Sequence, residues 1–462
     1  MRMISPSFAS CTRQHEWVLV LSLLLLVPMG VHAQGLPPDT TAVLRLSIGD
    51  ALERAQTESF PVRSSEAAQR VAQARKRQSL GLFLPQLTAK EQAFATTDPV
   101  NAFGFKLKQE RFSQQDFQLD ALNEPDRVDH FATQLEVQQP IFNLDGLFER
   151  RAAADGVRAA TQRTERTRAV VAFRVKKGYF GLLLAERRVA VVDSALTAAR
   201  SNRDQAQALF DEGIINRADL LAARVRVLEL ESQRTEAAAA RSTAADRLRF
   251  LLGIEEAARV EPTDSLMRER ITIGSISPGR VNERRSDMQA LRFRADAARE
   301  QVRSRWMAFV PTLNAQGSLG WYDDTPFGTT GSSWTAGASL SWSVFEGFQQ
   351  IGRAQQAEAE LQQAQIALQE QALQNRVDIA EALRDLESAR QRIEQARRAV
   401  DQAEESLRIR SDRFAEGIAR TTDLLQAEAT LADRRLAYLN ALYQHNLTVY
   451  RLELLTEQSL TN

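Results

Sequence analysis

The second half of the sequence repeats landmarks of the first half in the same order, and this internal repeat constrains the fold more than any other feature. The landmarks are FDEGI at 210–214 with FAEGI at 414–418, DLLAA at 219–223 with DLLQA at 423–427, FLPQL at 83–87 with FVPTL at 309–313, and PIF at 140–142 with SVF at 343–345. Chance similarity between Ala-rich stretches does not account for four ordered landmarks. The chain is therefore interpreted as two copies of one long unit, each containing a helix, two strands, a very long helix, a glycine turn and a return helix.

Each copy contains a stretch predicted to form one very long helix. Between residues 351 and 414 the chain has no proline and one glycine, and it is rich in Ala, Gln, Glu, Leu and Arg, which favour helices. Apolar residues recur there at every seventh position, with alanines three positions later: Ile379, Leu386, Ile393, Val400, Leu407 and Phe414, then Ala382, Ala389, Ala396 and Ala403. The first copy repeats this heptad seam from Val175 to Leu196. A helix of about 60 residues is a rod on the order of 90 Å long, so it must pack lengthwise against other helices.

The predicted fold is mainly α-helical with a small β part, arranged as two repeats of long antiparallel coiled-coil hairpins and strands. The predicted segments are a first repeat at 34–252, with strands near 86–97 and 129–142, a long helix at 147–209 and a return helix at 217–252; a linker at 253–285; a second repeat at 286–457, with strands near 312–322 and 333–345, a long helix at 348–413 and a return helix at 421–457; and a tail at 458–462.

The predicted strands have the pattern of membrane strands. Apolar and small residues alternate with polar ones from Trp334 to Val344, and each strand has about the ten residues that a tilted membrane strand needs. Trp321, Tyr322, Trp334 and Trp342 are predicted to lie at the membrane interface, although Glu91 interrupts the apolar face of the first strand. A soluble antiparallel sheet is the alternative. Because an open sheet edge is not tolerated in lipid, four strands per chain predict that three chains together close a 12-stranded β-barrel.

The amino terminus and the composition exclude several classes of protein. Arginines precede an apolar run at 17–27 and a small-residue site near Ala33, which predicts a signal peptide at 1–33. The only cysteine, Cys11, lies in this segment, so the exported chain is expected to have no thiol chemistry. Basic and acidic residues balance at 59 each, which argues against a nucleic-acid binder. His130 and His445 have no metal-site or triad spacing. No metal, cofactor or enzymatic activity is expected.

With its signal peptide, internal repeat, paired glycine turns and Leu-Pro-x-Leu strand openings, the chain resembles the TolC-like outer-membrane efflux proteins. The segments at 98–107 and 139–143 are also similar to that family. The resemblance implies a homotrimer in the outer membrane, whose 12-stranded β-barrel continues into a periplasmic α-helical barrel. It also implies two partners, a periplasmic adaptor (membrane fusion protein) and an inner-membrane transporter of the RND, ABC or MFS class. The implied function is passive export of substrate in a tripartite efflux or type I secretion system.

Two groups of residues at the helix turns are candidates for function. Gly213 and Gly417 are predicted to end the long helices, and the resemblance implies that these tips, with Ile214 and Ile418, contact the adaptor. Asp219 and Asp423 follow the turns, where either helix-dipole stabilisation or a threefold carboxylate ring is expected. The resemblance also places Phe414 in the periplasmic aperture, with Gln426 where the family has a second acid and Ala419 where it has an arginine, for which the adjacent Arg420 is the candidate substitute. It implies that the aperture closes as an iris, although Phe414 lacks the hydroxyl group of the family's aromatic partner.

Two competing functions are open from the residues alone. A periplasmic coiled-coil scaffold or adaptor explains the heptads and the export signal, but it gives no role to alternating strands bounded by aromatic residues. An exported enzyme is the third class and is disfavoured by the scarcity of catalytic groups. Fractionation separates the first two classes, because a barrel protein sediments with outer membranes and a scaffold is released by osmotic shock.

Overall fold

The structure is a computed structural model that describes residues 43–255, 258–269, 271, 278–416 and 418–460. The predicted signal peptide, with Cys11, lies outside these residues, as does Gly417. The elements are β1 (Val43–Leu46), α1 (Ile48–Glu58), α2 (Phe60–Gln78), β2 (Gln86–Thr96), α3 (Pro99–Lys108), α4 (Leu119–Asn123), β3 (Val128–Phe142), α5 (Leu144–Asp211), α6 (Arg217–Leu251), β4 (Arg259–Pro262), α7 (Pro278–Arg284), α8 (Ser286–Met307), β5 (Thr312–Asp323), β6 (Gly331–Ser341), α9 (Gln349–Ala415) and α10 (Thr421–Thr456).

Two long helices dominate the molecule, which confirms the predicted mainly α-helical fold with a small β part. Helix α5 has 68 residues and α9 has 67, so each is about 100 Å long. The heptad seams are the buried faces: Val175 and Leu182 of α5 share one core with Ile379 and Leu386 of α9. Within the described residues, no helix is apolar over a length sufficient to cross a bilayer.

Shorter helices cover each rod in two stages. Along the first half of α5, Glu66 of α2 pairs with Arg168 at 2.8 Å. Along its second half, α6 returns antiparallel, and Arg200 pairs with Glu231 at 2.8 Å. Helices α8 and α10 cover α9 in the corresponding way. This end-to-end coverage is what the length of the heptad seam requires.

The four long strands form one antiparallel sheet in the order β2-β3-β5-β6. Leu135 of β3 is opposite Ala89 of β2 and Leu319 of β5, and Leu319 is opposite Trp334 of β6. One face is therefore apolar across the whole sheet, and its outermost side chains, Leu87 and Trp334, are 66% and 75% exposed. The other face contains Gln134, Gln316 and Ser318.

The pairing corrects one predicted boundary. Strand β6 ends at Ser341, whereas the sequence predicted a strand to residue 345. The reason is that Ser341 pairs with Thr312, the first residue of β5, so no partner residue remains for 342–345. Trp342 instead donates its indole N–H to the carbonyl oxygen of Phe309 at 3.0 Å.

Glu91 lies on the apolar face, and its carboxylate has partners there. It accepts hydrogen bonds from the hydroxyl group of Thr133 on β3 and from the backbone N–H of Phe327 at 3.2 Å. These bonds compensate for a carboxylate among apolar side chains, so β2 keeps the alternating register that the sequence left in doubt.

Candidate functional site at the helix tips

Both long hairpins end in the same type of turn. The N–H of Ile214 donates to the carbonyl oxygen of Leu209 at 2.8 Å, and the N–H of Ile418 donates to that of Arg413 at 2.9 Å. This bond spans six residues and defines a Schellman motif, in which the residue after the helix adopts the left-handed conformation. Gly213 occupies that position with φ +74°. The repeated FxEGI sequence therefore encodes the turn.

The two tips of one protomer meet around a cleft of about 480 Å³. Its lining includes six of the residues predicted to act at the tips: Gly213, Ile214, Asp219, Phe414, Ile418 and Arg420. Phe414 is 3% exposed, whereas Ile214 and Ile418 are 56% and 73% exposed. Asp423 and Gln426 are not among the described residues that line the cleft. Of the predicted aperture residues, Asp219, Phe414 and Arg420 thus line the cleft, whereas Asp423 and Gln426 do not.

The two equivalent aspartates have different surroundings. Asp219 is the third residue of α6, and its N–H donates to the side-chain oxygen of Asn216 at 3.0 Å. Asp423 is the third residue of α10 and pairs with Arg410 of α9 at 3.8 Å. At the position of Arg410, the first repeat has the buried Ala206. Asp423 therefore has a cation at the facing position of its hairpin, whereas Asp219 has an alanine there.

The cation that pairs with Asp423 is Arg410, which the sequence analysis does not predict, and not Arg420, the substitute for the family's arginine. Arg410 and Asp423 are nearly equidistant from the turn at 417, and in an antiparallel hairpin such residues face each other. That spacing was the available signal. The pair is exposed, with 45% and 53% of the two side chains accessible, so it contributes at most about 1 kcal/mol to stability.

A different polar contact, near the tips, joins the two hairpins to each other. Glu428 of α10 accepts a hydrogen bond from the side-chain amide of Asn202 on α5, and Arg226 of α6 lies near it. Burial raises the pKa of Glu428 to about 7, against the opposing effects of the Arg226 charge and the Asn202 bond. The heptad pattern gave no signal for this carboxylate, because it flanks the buried seam residues Ala427 and Leu431.

The predicted interface aromatics do not all lie on one face. Trp334 and Trp342 are 75% and 61% exposed. Trp321 is half-buried and lies on the apolar face. Tyr322 is 7% exposed and lies on the opposite face, so its assignment to the lipid interface is wrong. The physical reason is that consecutive strand residues point to opposite faces, and Trp321 and Tyr322 cannot both point to lipid.

The histidines belong to packing arrangements. His130 is stacked against Phe105, and His445 is buried with a ring nitrogen 3.2 Å from the side-chain oxygen of Asn446. Among the described residues, no group of three or more acidic, histidine or cysteine side chains has the arrangement of a metal site.

Comparison with known proteins identifies the family to which this architecture corresponds. The family model described as "Outer membrane efflux protein" matches residues 51–254 and 278–456. The chain belongs to the outer membrane efflux protein family. The resemblance inferred from the sequence is confirmed, and family membership assigns the chain to the outer membrane. The family and the fold are those of passive outer-membrane channels rather than of enzymes.

The individual proteins that match this chain have low sequence identity to it. The alkaline protease secretion protein AprF of Pseudomonas aeruginosa is 26% identical over 243 residues, which cover 50% of this chain and 49% of AprF. The match thus extends over about half the length of that relative. Three crystal structures share the fold: a membrane protein from Pseudomonas aeruginosa (TM-score 0.76, 17% identity, 90% of this chain and 94% of the other), the channel CmeC of Campylobacter jejuni (0.76, 17%, 88% and 85%), and VceC of Vibrio cholerae (0.73, 20%, 89% and 96%).

Proposed function

We propose that the protein is the outer-membrane channel and periplasmic tunnel of a tripartite efflux or type I secretion system. In this function three copies form one pore, and substrate passes through it passively. An inner-membrane transporter of the RND, ABC or MFS class delivers the substrate through a periplasmic adaptor. The protein itself carries out no chemical step, and selection of the cargo is the task of the transporter.

The observation that carries this proposal is a sheet with two open edges and one exposed apolar face. Among the residues that the structure describes, strands β2 and β6 are each paired on one side only within a protomer. Three successive antiparallel pairings make β2 and β6 run in opposite directions. Strand β6 of one copy is therefore oriented to pair antiparallel with β2 of the next. Three copies close a 12-stranded barrel without an unpaired edge, as lipid requires.

Exposed apolar stripes on the helices support the same assembly. Leu221, Val225 and Leu228 lie on one face of α6 and are 46%, 52% and 65% exposed. A second stripe on α9 is formed by Ile366, Leu373 and Val377, which are 53%, 61% and 59% exposed. Contiguous apolar stripes on soluble helices mark contact surfaces. Neighbouring copies in a helical barrel cover them.

The tips form the periplasmic aperture in this proposal. Threefold symmetry turns Asp219 and Asp423 into carboxylate rings, and Phe414, Arg420 and Gln426 complete the constriction that opens as an iris. The exposed Ile214 and Ile418, next to Gly213 and Gly417 in the sequence, supply an apolar surface for the adaptor. The type I secretion role is favoured by the match to AprF, whose name describes secretion of a protease.

Cysteine cross-linking tests the closed barrel directly, because Cys11 in the predicted signal peptide is the only native cysteine. Ala93→Cys on β2 is combined, one at a time, with Ala336→Cys, Ala338→Cys or Leu340→Cys on β6. We expect disulfide-linked dimers and trimers in outer membranes for at least one pair. The matched control, Ala93→Cys with Leu135→Cys on the central strand β3, is expected to give no link between chains. A detergent-stable monomer, or release of the protein by osmotic shock, would refute the channel and favour a periplasmic scaffold.

Charge reversal tests the aperture separately. Asp423→Arg removes the ion pair with Arg410 and places two cations side by side within the second tip, so α9 and α10 should separate there and single-channel conductance in planar bilayers should rise. Asp412→Arg is the matched control, since Asp412 is also an exposed acid near this tip, on α9, where it pairs with Arg408. Unchanged conductance of an intact Asp423→Arg trimer contradicts the aperture assignment while leaving the barrel intact.

A further inference from the structure

The connection between β2 and β3 is a folded insert, defined here as residues 97–127. It contains α3 and α4, whereas the equivalent connection in the second repeat is the short turn at 324–330. Helix α3 begins with an N-cap at Asp98, whose carboxylate accepts from the N–H of Asn101 at 2.9 Å, and with Pro99 in its first turn. The insert is thus a structured element that only one of the two repeats possesses.

The insert covers one face of the sheet, the face opposite the exposed apolar one. Phe105 of α3 stacks on the imidazole ring of His130 at 4.0 Å with an angle of 3° between the rings. Phe94 and Tyr322 lie beside this stack, at 6.4 and 5.6 Å from His130. Phe94, His130 and Tyr322 lie on the same face of the sheet. Further along the strands, this face contains Gln134, Gln316 and Ser318.

Buried polar contacts fix the insert in this position. Gln109 is 1% exposed, and its side-chain amide donates to the carbonyl oxygens of Asp129 and Asp323, both at 2.9 Å. Arg111 forms an ion pair with Asp324 at the opposite hairpin. At Gly331, a Cβ atom would overlap the carbonyl oxygen of Lys108, so only glycine lets the insert approach β6 this closely.

We propose that three copies of the insert form an outer constriction of the pore, which sets the size of solute that passes. This inference rests on the proposed trimeric channel, in which the polar face lines the lumen. The insert follows the end of β2 that is remote from α2, and thus lies at the outer mouth. Phe105 packs against Phe94 and His130, each two residues from the end of its strand, so the insert lies against the inner surface of the sheet at the rim of the barrel.

The dimensions make this constriction narrow. Twelve strands about 4.8 Å apart and tilted by about 40° enclose a ring on the order of 24 Å across. Three touching helices, each about 11 Å in diameter with side chains, fill a circle of about the same width. Three copies of α3 on the inner surface therefore leave no wide straight path. Large cargo passes only when the inserts move, and large external solutes are kept out.

Labelling of a lumen cysteine from outside the cell tests the barrier. Gln316→Cys places the only thiol of the exported chain on the polar face, six residues or about 20 Å below Tyr322 along β5. Intact cells are treated with a polyethylene glycol maleimide too large for general porins. We expect no labelling behind the native insert, and labelling when Gly331→Ala is added. Gly337→Ala is the matched control, since it lies on the same strand and face but in open space.

A second variant covers the case in which the strand tolerates the substitution at Gly331. In it, residues 99–126 are replaced by a short Gly-Ser linker, and heat-modifiable mobility verifies the oligomer. Labelling that appears with this replacement supports the constriction. Equal labelling by the large reagent with and without the insert overturns it. If a small charged maleimide also fails to label Gln316→Cys after the replacement, the polar face lines no aqueous pore and the proposed channel itself is wrong.

Discussion

Replacing Glu428 by glutamine should abolish a pH dependence of opening at the helix tips. Glu428 of α10 is partly buried against Asn202 of α5 and near Arg226 of α6, and burial raises its pKa from 4.5 to about 7. If opening separates the two hairpins, the carboxyl group becomes exposed to water and its pKa returns towards 4.5. The closed tip therefore binds the proton more tightly than the open tip.

The sign of the effect follows from this difference in proton affinity. Below about pH 4.5 the carboxyl group is protonated in both states, and the closed state has its full stability. As the pH rises from about 4.5 to about 7, the closed state loses stability, and above about pH 7 the loss is complete. A pKa shift of one unit corresponds to about 1.4 kcal/mol, and screening by solvent reduces the effect here to on the order of 1–2 kcal/mol. Acid is thus expected to lower the ratio of open to closed channels by about 5–30-fold.

Single-channel recordings of purified trimers in planar bilayers at about pH 5 and about pH 8 measure this ratio. Glu428→Gln is neutral at both values, so its open probability should be low and independent of pH. Glu404→Gln is the matched control, because Glu404 is exposed and pairs with Arg435 at 2.8 Å across the second hairpin. A Glu428→Gln channel with the pH response of the native protein would refute the reasoning, as would a native channel that opens on acidification.

Three further predictions concern stability and are measured by the temperature at which the trimer dissociates. Gly213→Ala strains a residue at φ +74° and should destabilise by about 1 kcal/mol, whereas Gly352→Ala, in open space within α9, should stabilise by up to about 1 kcal/mol. Arg285→Ala removes a guanidinium that is 1% exposed, so the carbonyl oxygen of Leu455 loses this donor and Asp287 keeps only Arg166, at a cost of about 2–3 kcal/mol. Arg299→Ala at an exposed pair should cost under about 1 kcal/mol. Leu386→Ala in the heptad seam should cost about 2–5 kcal/mol. Equal shifts for Arg285→Ala and Arg299→Ala would contradict the burial argument.

The long helices were predictable because their signal is local and repeated. The helix predicted at 348–413 spans Gln349–Ala415, and the one predicted at 147–209 spans Leu144–Asp211. A heptad pattern specifies which face of a helix is buried, independently of the element that covers this face. It does not specify the partner helix, so the common core of Val175 and Ile379 became visible only in the structure.

The candidate site was predicted less completely, because its groupings depend on tertiary contacts. Repeat alignment located Asp219 and Asp423 but treated them as equivalent. The difference arises from Arg410, which lies on another helix and has an apolar counterpart in the first repeat. Glu428 was invisible because its pKa depends on burial between hairpins. Helix α3 carried a readable start signal, Asp98 followed by Pro99, but nothing in the sequence indicated that it folds onto the sheet.

The two repeats agree along the wall of the molecule and differ at its two ends. Each contributes two strands to the sheet and one long hairpin to the helical part, so the wall of the proposed trimer has six similar units. At the tips, Arg410 has only Ala206 as its counterpart, and at the far end of the strands only the first repeat carries an insert. In the proposed trimer, both differences lower the sixfold symmetry of the wall to threefold, one at the proposed aperture and one at the proposed outer constriction. The two repeats therefore diverge at both places where the proposed channel narrows.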